Sequence, residues 1–258
     1  MSLRAFARRG VGALALMALL GTAAACGSAP VDVVAIDPAS LTSDLVAHWT
    51  FDDGAGTQVG DSSGNAHHGV LTGGTWMSDG RFGGSLYLSL GDFVSVENFP
   101  DATASWTVSV WTKTSDADLA AITTEPSTLI GAETVFAGGW QMHLDNRPGF
   151  LQFDAAYWSG PEQMDYVVDF CACIEADRWI HLTAVWDADI SKMTLYHGDV
   201  AVDQRPMPTP IKTGDSTLLM GTWNMKNRFL VGAIDDFAIW KRALGPPEIA
   251  ALSRQPPG

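Results

Sequence analysis

The chain has 258 residues, 47% hydrophobic and 17% charged, with 26 Gly, 13 Pro, 10 Trp and 3 Cys, enough to bury a core in one large domain or two small ones. Its 15 Lys and Arg stand against 29 Asp and Glu, a formal charge of −14, which repels phosphate backbones and argues against nucleic acid as a partner. The acid is 23 Asp and 6 Glu. Asp favours turns, caps and hard-cation sites, so a helical bundle is disfavoured, and the aromatic and aliphatic content excludes a disordered chain.

The chain opens with Arg4, Arg8 and Arg9, followed by an apolar stretch from Val11 to Leu20 that is too short to span a bilayer. GTAAACGS then places small residues directly before Cys26. This resembles the bacterial lipoprotein signal, with Ala23 where that family usually has Leu. The resemblance implies cleavage after residue 25, lipid on Cys26, and a domain held to the bacterial envelope outside the cytoplasm. The alternative is ordinary signal cleavage with Cys26 a spare thiol. Residues 26–41 are rich in Pro, Ala, Ser and Asp without a period and read as a flexible tether.

From Leu41 onward the pattern is strand. VAHWTF, SLYLSL, FVSVENF, SWTVSVWTK, GWQMHLD, FLQFDAAYW, WIHLTAVWD, KMTLYHG and AIDDFAIW alternate with period two, nine runs closed by Gly, Asp, Asn or Pro. Short alternating runs of this kind predict an all-β antiparallel sandwich or barrel. One helix is expected, where Pro246 and Pro247 open a first turn for EIAALS. No linker or repeat interrupts residues 42–253, so they read as one domain, with 254–258 a frayed tail. Cys171 and Cys173 form a pair two residues apart. On a strand they point to opposite faces, so a strained disulfide and two free thiols both stand as readings.

WTFDDGAGTQVGDSSGNAHHGVLTGG, GRFGGSLYLSLGDFVSVEN and WTVSVWTK resemble the first half of a laminin-G-like, concanavalin A-like jelly roll. RWIHLTAVWDADISKMTLYHGDVAVD and FLVGAIDDFAIWKRALGPPEIAAL resemble its second half. The matching segments fall in order and cover nearly all of 42–253, least well at 116–175. The resemblance implies two stacked antiparallel sheets with a short C-terminal helix. It does not imply one activity, since this fold serves lectins, adhesins and glycan enzymes.

Acidic residues interleaved with glycine point to a hard cation. Asp52, Asp61 and Asn65 alternate with Gly54, Gly56, Gly60 and Gly64, and calcium takes six to eight oxygens in irregular geometry. The family resemblance implies a structural calcium on an Asp of the final strand, here Asp235 with Asp236 the alternate. The competing reading is that all of these make Asx turns. His67 and His68 read as turn histidines, because neighbours on extended chain diverge and no third ligand is near.

Catalytic signatures are missing. The ExDxxE of laminarinase-like relatives and HExxH are absent. GDSSG at 60–64 has the GxSxG letters but stands in a glycine-rich turn with no helix after it, and so is no nucleophile elbow. Glu162 with Asp165 is the nearest approach to a carboxylate pair. The chain therefore reads as non-catalytic. Alternation turns Thr107, Ser109, Trp111 and Lys113 to one polar face, with His181 and Thr183 beside them. Gln141, His143, Gln152 and Asp154 turn outward on other strands. Aligned, such faces form an aromatic-studded groove that suits a sugar ring. Trp223 sits in GTWNMKNRF with Asn224, Asn227 and Arg228, a setting that suits glycan contact or a loop plug equally. The expectation is thus a lectin-like, envelope-anchored domain that binds glycan through Trp111, His143, Asp154, His181, Trp223, Asn224 and Arg228. The alternatives are an adhesion module for a cell-surface or matrix protein, or a glycan-active hydrolase or lyase.

Overall fold

The structure is a computed structural model that describes residues 36–100, 104–121, 127–134, 138–145, 152–160, 163–169, 175–206 and 216–258. Cys26, Cys171 and Cys173 lie outside the described residues. The first strands are β1 (Leu45–Trp49), β2 (Gln58–Val59), β3 (Gly69–Thr72), β4 (Thr75–Met77), β5 (Ser85–Leu88), β6 (Phe93–Phe99) and β7 (Trp106–Lys113). After helix α1 (Asp116–Ala121) come β8 (Ser127–Thr134), β9 (Gly138–Asp145), β10 (Gln152–Gly160) and β11 (Gln163–Asp169). The chain ends with β12 (Ile180–Asp187), β13 (Lys192–His197), β14 (Val200–Pro206), β15 (Ser216–Met220), β16 (Gly232–Trp240) and helix α2 (Pro246–Leu252).

The strands form two antiparallel sheets of eight. One runs β14-β13-β12-β7-β16-β5-β4, with β1 also paired to β16; the other runs β11-β10-β9-β8-β15-β6-β3-β2. The all-β sandwich is thus as expected. The inward residues are those the alternation selects: Ile180, Leu182, Ala184 and Trp186 on β12 meet Trp140, Met142 and Leu144 on β9 in one apolar cluster. Within it Trp49, Phe99, Trp106 and Trp140 make a chain of tilted and edge contacts, 6.0, 6.3 and 6.2 Å between successive centroids, geometries that suit the aromatic quadrupole.

A second apolar cluster lies on the outer face of the first sheet. Val185, Tyr196, Ala238 and Trp240 point outward there and are covered by Leu41, Leu244, Ile249 and Leu252. This is why β7, β12 and β16 are buried on both faces. Helix α2 is fixed by Glu248, which accepts the Gly245 N–H at 2.9 Å and receives the Arg242 guanidinium at 2.9 and 2.7 Å. Arg242 also donates to the carbonyls of Ser43 and Ser40, and the Trp240 indole donates to Leu41 O at 2.7 Å. The last residues do not fray away from this face, since Pro257 is buried against it.

Candidate functional site

The final strand carries a β-bulge. Asp235 faces Trp111 on β7, yet Ala238 faces Ser109, so β16 spends one extra residue between them, and Asp236 takes a left-handed φ of 43°. A bulge re-aims side chains, and here two successive aspartates are both buried. Asp236 Oδ1 lies 2.8 Å from His48 Nε2 on β1, and His48 Nδ1 lies 3.0 Å from the Ser62 hydroxyl. The sequence Ser62–His48–Asp236 has the order of a hydrolase triad, but Ser62 also donates to the carbonyl of His48 at 2.9 Å. The hydroxyl is thus shared between the His48 ring and the His48 carbonyl, and the network ties β1 to β16. The neighbouring Ser109–His181 pair, at 2.7 Å, is sealed off, and burial pushes the His181 pKa down to about 3.

Asp235 points the other way, into the loop 79–84. It accepts from Phe82 N at 3.0 Å and from Asp236 N at 2.8 Å, while Asp52 accepts from Gly84 N at 2.6 Å. Burial, aided by the charge of Asp236, pushes the Asp235 pKa up to about 7. The loop glycines are required by this closeness. A Cβ on Gly80 would fall 2.6 Å from Asp235 Oδ2, and one on Gly83, at φ +73°, would fall 2.4 Å from Asp52 Oδ1.

Asp235 and Asp52 are the residues of this turn that could hold a hard cation. Two carboxylates and the backbone oxygens of Phe51 and Gly84 border one turn, and the buried Asp235 charge has no ion pair among the described residues. Among those residues no group of three or more His, Cys, Asp or Glu side chains gathers at one point, so carbonyls would complete an oxygen shell. Asp61 and Asn65, expected in the same set, belong to another network. Asp61 accepts from the backbone of His48, Ser63 and His67 and from the Ser63 hydroxyl. Burial works to raise its pKa, but these bonds hold it below the usual carboxylate value. Asn65 donates to the carbonyls of Leu45 and Val46 at 2.9 Å. Both act as turn residues that staple the loop to β1.

The predicted face of the first sheet does line up: Trp111 faces His181, and Ser109 faces Thr183 across β7 and β12. It is not an open groove, which corrects the expectation. Trp111 is 7% exposed and His181 2%. Their rings stack at 5.0 Å, the Arg81 guanidinium lies 4.5 Å over Trp111, and Phe82 meets the indole edge-on at 5.9 Å. The cause is the apolar half of the same face, which recruits α2 and the following residues as a cover. On the second sheet Asp154 faces His143, and His143 faces Thr128. His143 and Gln141 share a hydrogen bond and are buried rather than outward. The Asp154 side chain lies outside the described residues.

The loop between β15 and β16 brings Trp223, Asn224 and Arg228 together at the surface. Asn224 Oδ1 accepts from Lys226 N at 3.1 Å and Asn227 N at 3.2 Å, an Asx turn. Thr222 Oγ1 donates to Asn227 O at 2.9 Å, and the carbonyl of Arg228 accepts from Thr128 N at 2.9 Å. Met225 and Arg228 hold left-handed φ values of 61° and 54°, conformations that a loop keeps only when its surroundings over-determine it. The Arg228 guanidinium lies 4.7 Å over the half-buried Trp223 indole. A similar pair, Lys113 Nζ 5.1 Å over Trp179, was missed in the sequence. The pairing of Thr112 with Ile180 puts these two residues one step further along the same ladder, so strand pairing was the signal.

Solved structures with this architecture include the binding domain of Paraclostridial Mosquitocidal Protein 1, with a TM-score of 0.67 and 17% identity over 83% of this chain and 52% of that one. Domain 4 of an extracellular arabinanase from Geobacillus stearothermophilus, solved with arabinotriose, has a TM-score of 0.61 and 21% identity over 82% of this chain and 98% of that one. The ligand binding domain of botulinum neurotoxin serotype D, solved with N-acetylneuraminic acid, has a TM-score of 0.65 and 17% identity, covering 84% and 52%. The chain thus spans about half the length of the toxin domains it matches. A comparison with curated proteins found no match. The profile described as the concanavalin A-like lectin/glucanases superfamily matches residues 82–250, and with its two-sheet sandwich the chain belongs to that superfamily.

Proposed function

We propose that this chain is a non-catalytic glycan-binding domain whose contact site is the Trp223–Asn224–Arg228 loop. The observation that carries the reading is that a half-exposed indole, an amide and a guanidinium converge on a hydrogen-bonded loop at the end of a rigid sandwich. Indole faces take the C–H face of a sugar, and the polar groups take its hydroxyls. Solved domains of the same architecture hold arabinotriose and N-acetylneuraminic acid, which supports the class of ligand. A glycan array probed with the chain should return a saturable ligand. Trp223→Ala should weaken that binding at least about tenfold, roughly 1.4 kcal/mol, with an unchanged melting temperature. An empty array, or equal binding by the variant, refutes the reading.

Two further elements belong to the proposal. Calcium binds at Asp235 and Asp52 with the carbonyls around Gly80–Gly84, where it neutralises a buried carboxylate and pins the turn after β1 to the last strand. Cys26 carries lipid and holds the domain to a bacterial envelope. Cys26→Ala should release the chain from the membrane fraction; unchanged fractionation rules the anchor out.

A further inference from the structure

The polar face of the first sheet is filled by the chain's own final residues, and the filling has a recognisable chemistry. Ser109, Trp111, His181 and Asp236 floor a cavity of about 10 Å³, and Gln255, Pro256 and Pro257 roof it. Beyond α2 only short turns lead to this segment, with Gln255 N donating to Ala251 O at 3.0 Å, and Pro257 is nonetheless buried. Proline segments dock on aromatic-lined grooves because their extended backbone is preformed and loses little entropy on binding. The floor supplies such a lining, and it also holds a buried carboxylate oxygen, Asp236 Oδ2, that has no hydrogen-bond partner among the described residues. The roof therefore covers this floor without saturating it. An integral piece of core would leave no such polar atom beneath it, because an unpaired buried acceptor costs free energy.

We propose that this groove is a recognition site for a proline-containing peptide segment, and that residues 254–258 are its intramolecular occupant. The occupant is held at the high effective concentration that a short connection gives, so it blocks the groove although its own affinity is modest. A partner with a Pro-Pro segment binds once the tail is displaced. The site is separate from the Trp223 loop and does not depend on the glycan reading.

The experiment compares the full chain with one ending at Ser253, using acrylamide quenching of tryptophan fluorescence and the indole N–H resonances of Trp111 and Trp240. The shortened chain should show raised quenching and shifted Trp111 and Trp240 signals. The synthetic peptide RQPPG should reverse both with a millimolar dissociation constant, and AQAAG should not. The full chain should ignore both peptides. Pro256→Ala with Pro257→Ala in the full chain should raise quenching without loss of fold, which tests the idea even if truncation unfolds the protein. The proposal is overturned if the shortened chain folds with its tryptophans as protected as before, if the two peptides act alike, if an oligosaccharide rather than RQPPG reverses the change, or if the double alanine variant is indistinguishable from the parent.

Discussion

Asp235→Asn isolates the energetic role of the buried carboxylate. The variant keeps one oxygen for one of the two N–H groups, Phe82 or Asp236, that donate to the separate carboxylate oxygens, so it removes the charge at the cost of one hydrogen bond. With the folded pKa near 7 against 3.8 for the ordinary side chain, the shift is about 3 units, a ceiling of roughly 4 kcal/mol at 1.36 kcal/mol per unit. The sign follows from proton counts. Below about pH 4 both states hold the proton and no penalty arises; from there to about pH 7 the unfolded chain has released it and the folded chain has not, so stability falls as pH rises. Above pH 7 the folded state carries a buried charge and the loss is complete. In chelator, the wild-type melting temperature should therefore fall by several degrees between about pH 4.5 and 7.5 relative to Asp235→Asn, whose own profile lacks this titration. Calcium at 100 times its dissociation constant adds about 2.7 kcal/mol, or roughly 5–11 °C for a domain above 150 residues. That gain should appear in the wild type and vanish in the variant. Scanning calorimetry in matched buffers decides the matter. Parallel melts across this pH range would refute the burial argument, and a calcium response that survives the substitution would place the ion elsewhere.

Glycine positions offer a graded comparison. Gly83→Ala combines a left-handed φ with a 2.4 Å approach to Asp52 Oδ1 and should cost at least about 2 kcal/mol in urea unfolding, whereas Gly91→Ala, with φ +97° and open space around it, should cost only about 1 kcal/mol. Equal costs would show that the loop yields freely. Arg242→Ala strands the Glu248 carboxylate and the carbonyls of Ser40 and Ser43 and should lose roughly 1–3 kcal/mol by the same assay; a loss under about 0.5 kcal/mol would mean that water replaces it without cost.

Much of the sandwich was legible because a half-buried strand writes its two faces into alternate residues. The nine alternating runs all became strands, and Pro246 and Pro247 marked α2 correctly. What escaped were strands too short to show a period, such as Gln58–Val59 and Thr75–Met77, and strands without alternation, such as STLIGAET at Ser127–Thr134. The groove was half right. Register brought Trp111 to His181 and Ser109 to Thr183, but a polar side chain on a strand face says nothing about what lies above it. That depended on Ile249 and Leu252, more than sixty residues beyond His181. Asp61 and Asn65 bond to the turn and to β1 rather than gathering with Asp235. The sequence does not separate the two arrangements, because carboxylates at glycine-rich turns look alike whether backbone N–H groups or a metal satisfy them.

The pairing of Leu45 with Trp240 and of Trp49 with Phe237 sets an order of assembly. A chain made from its N-terminus presents β1 first and its partner β16 almost last, so Val46, Ala47 and Trp49, all buried in the finished fold, wait beside water until nearly the whole sequence exists. Closing so long a loop is entropically costly before any contact compensates it. The strand added last in space is thus the strand made first in time. A product that stops before residue 232 leaves both β1 and the inner edge of β7 unpaired. Such a fragment would expose an apolar, edge-bearing surface of the kind that aggregates, and synthesis that stalls late would be more hazardous to this protein than synthesis that stalls early.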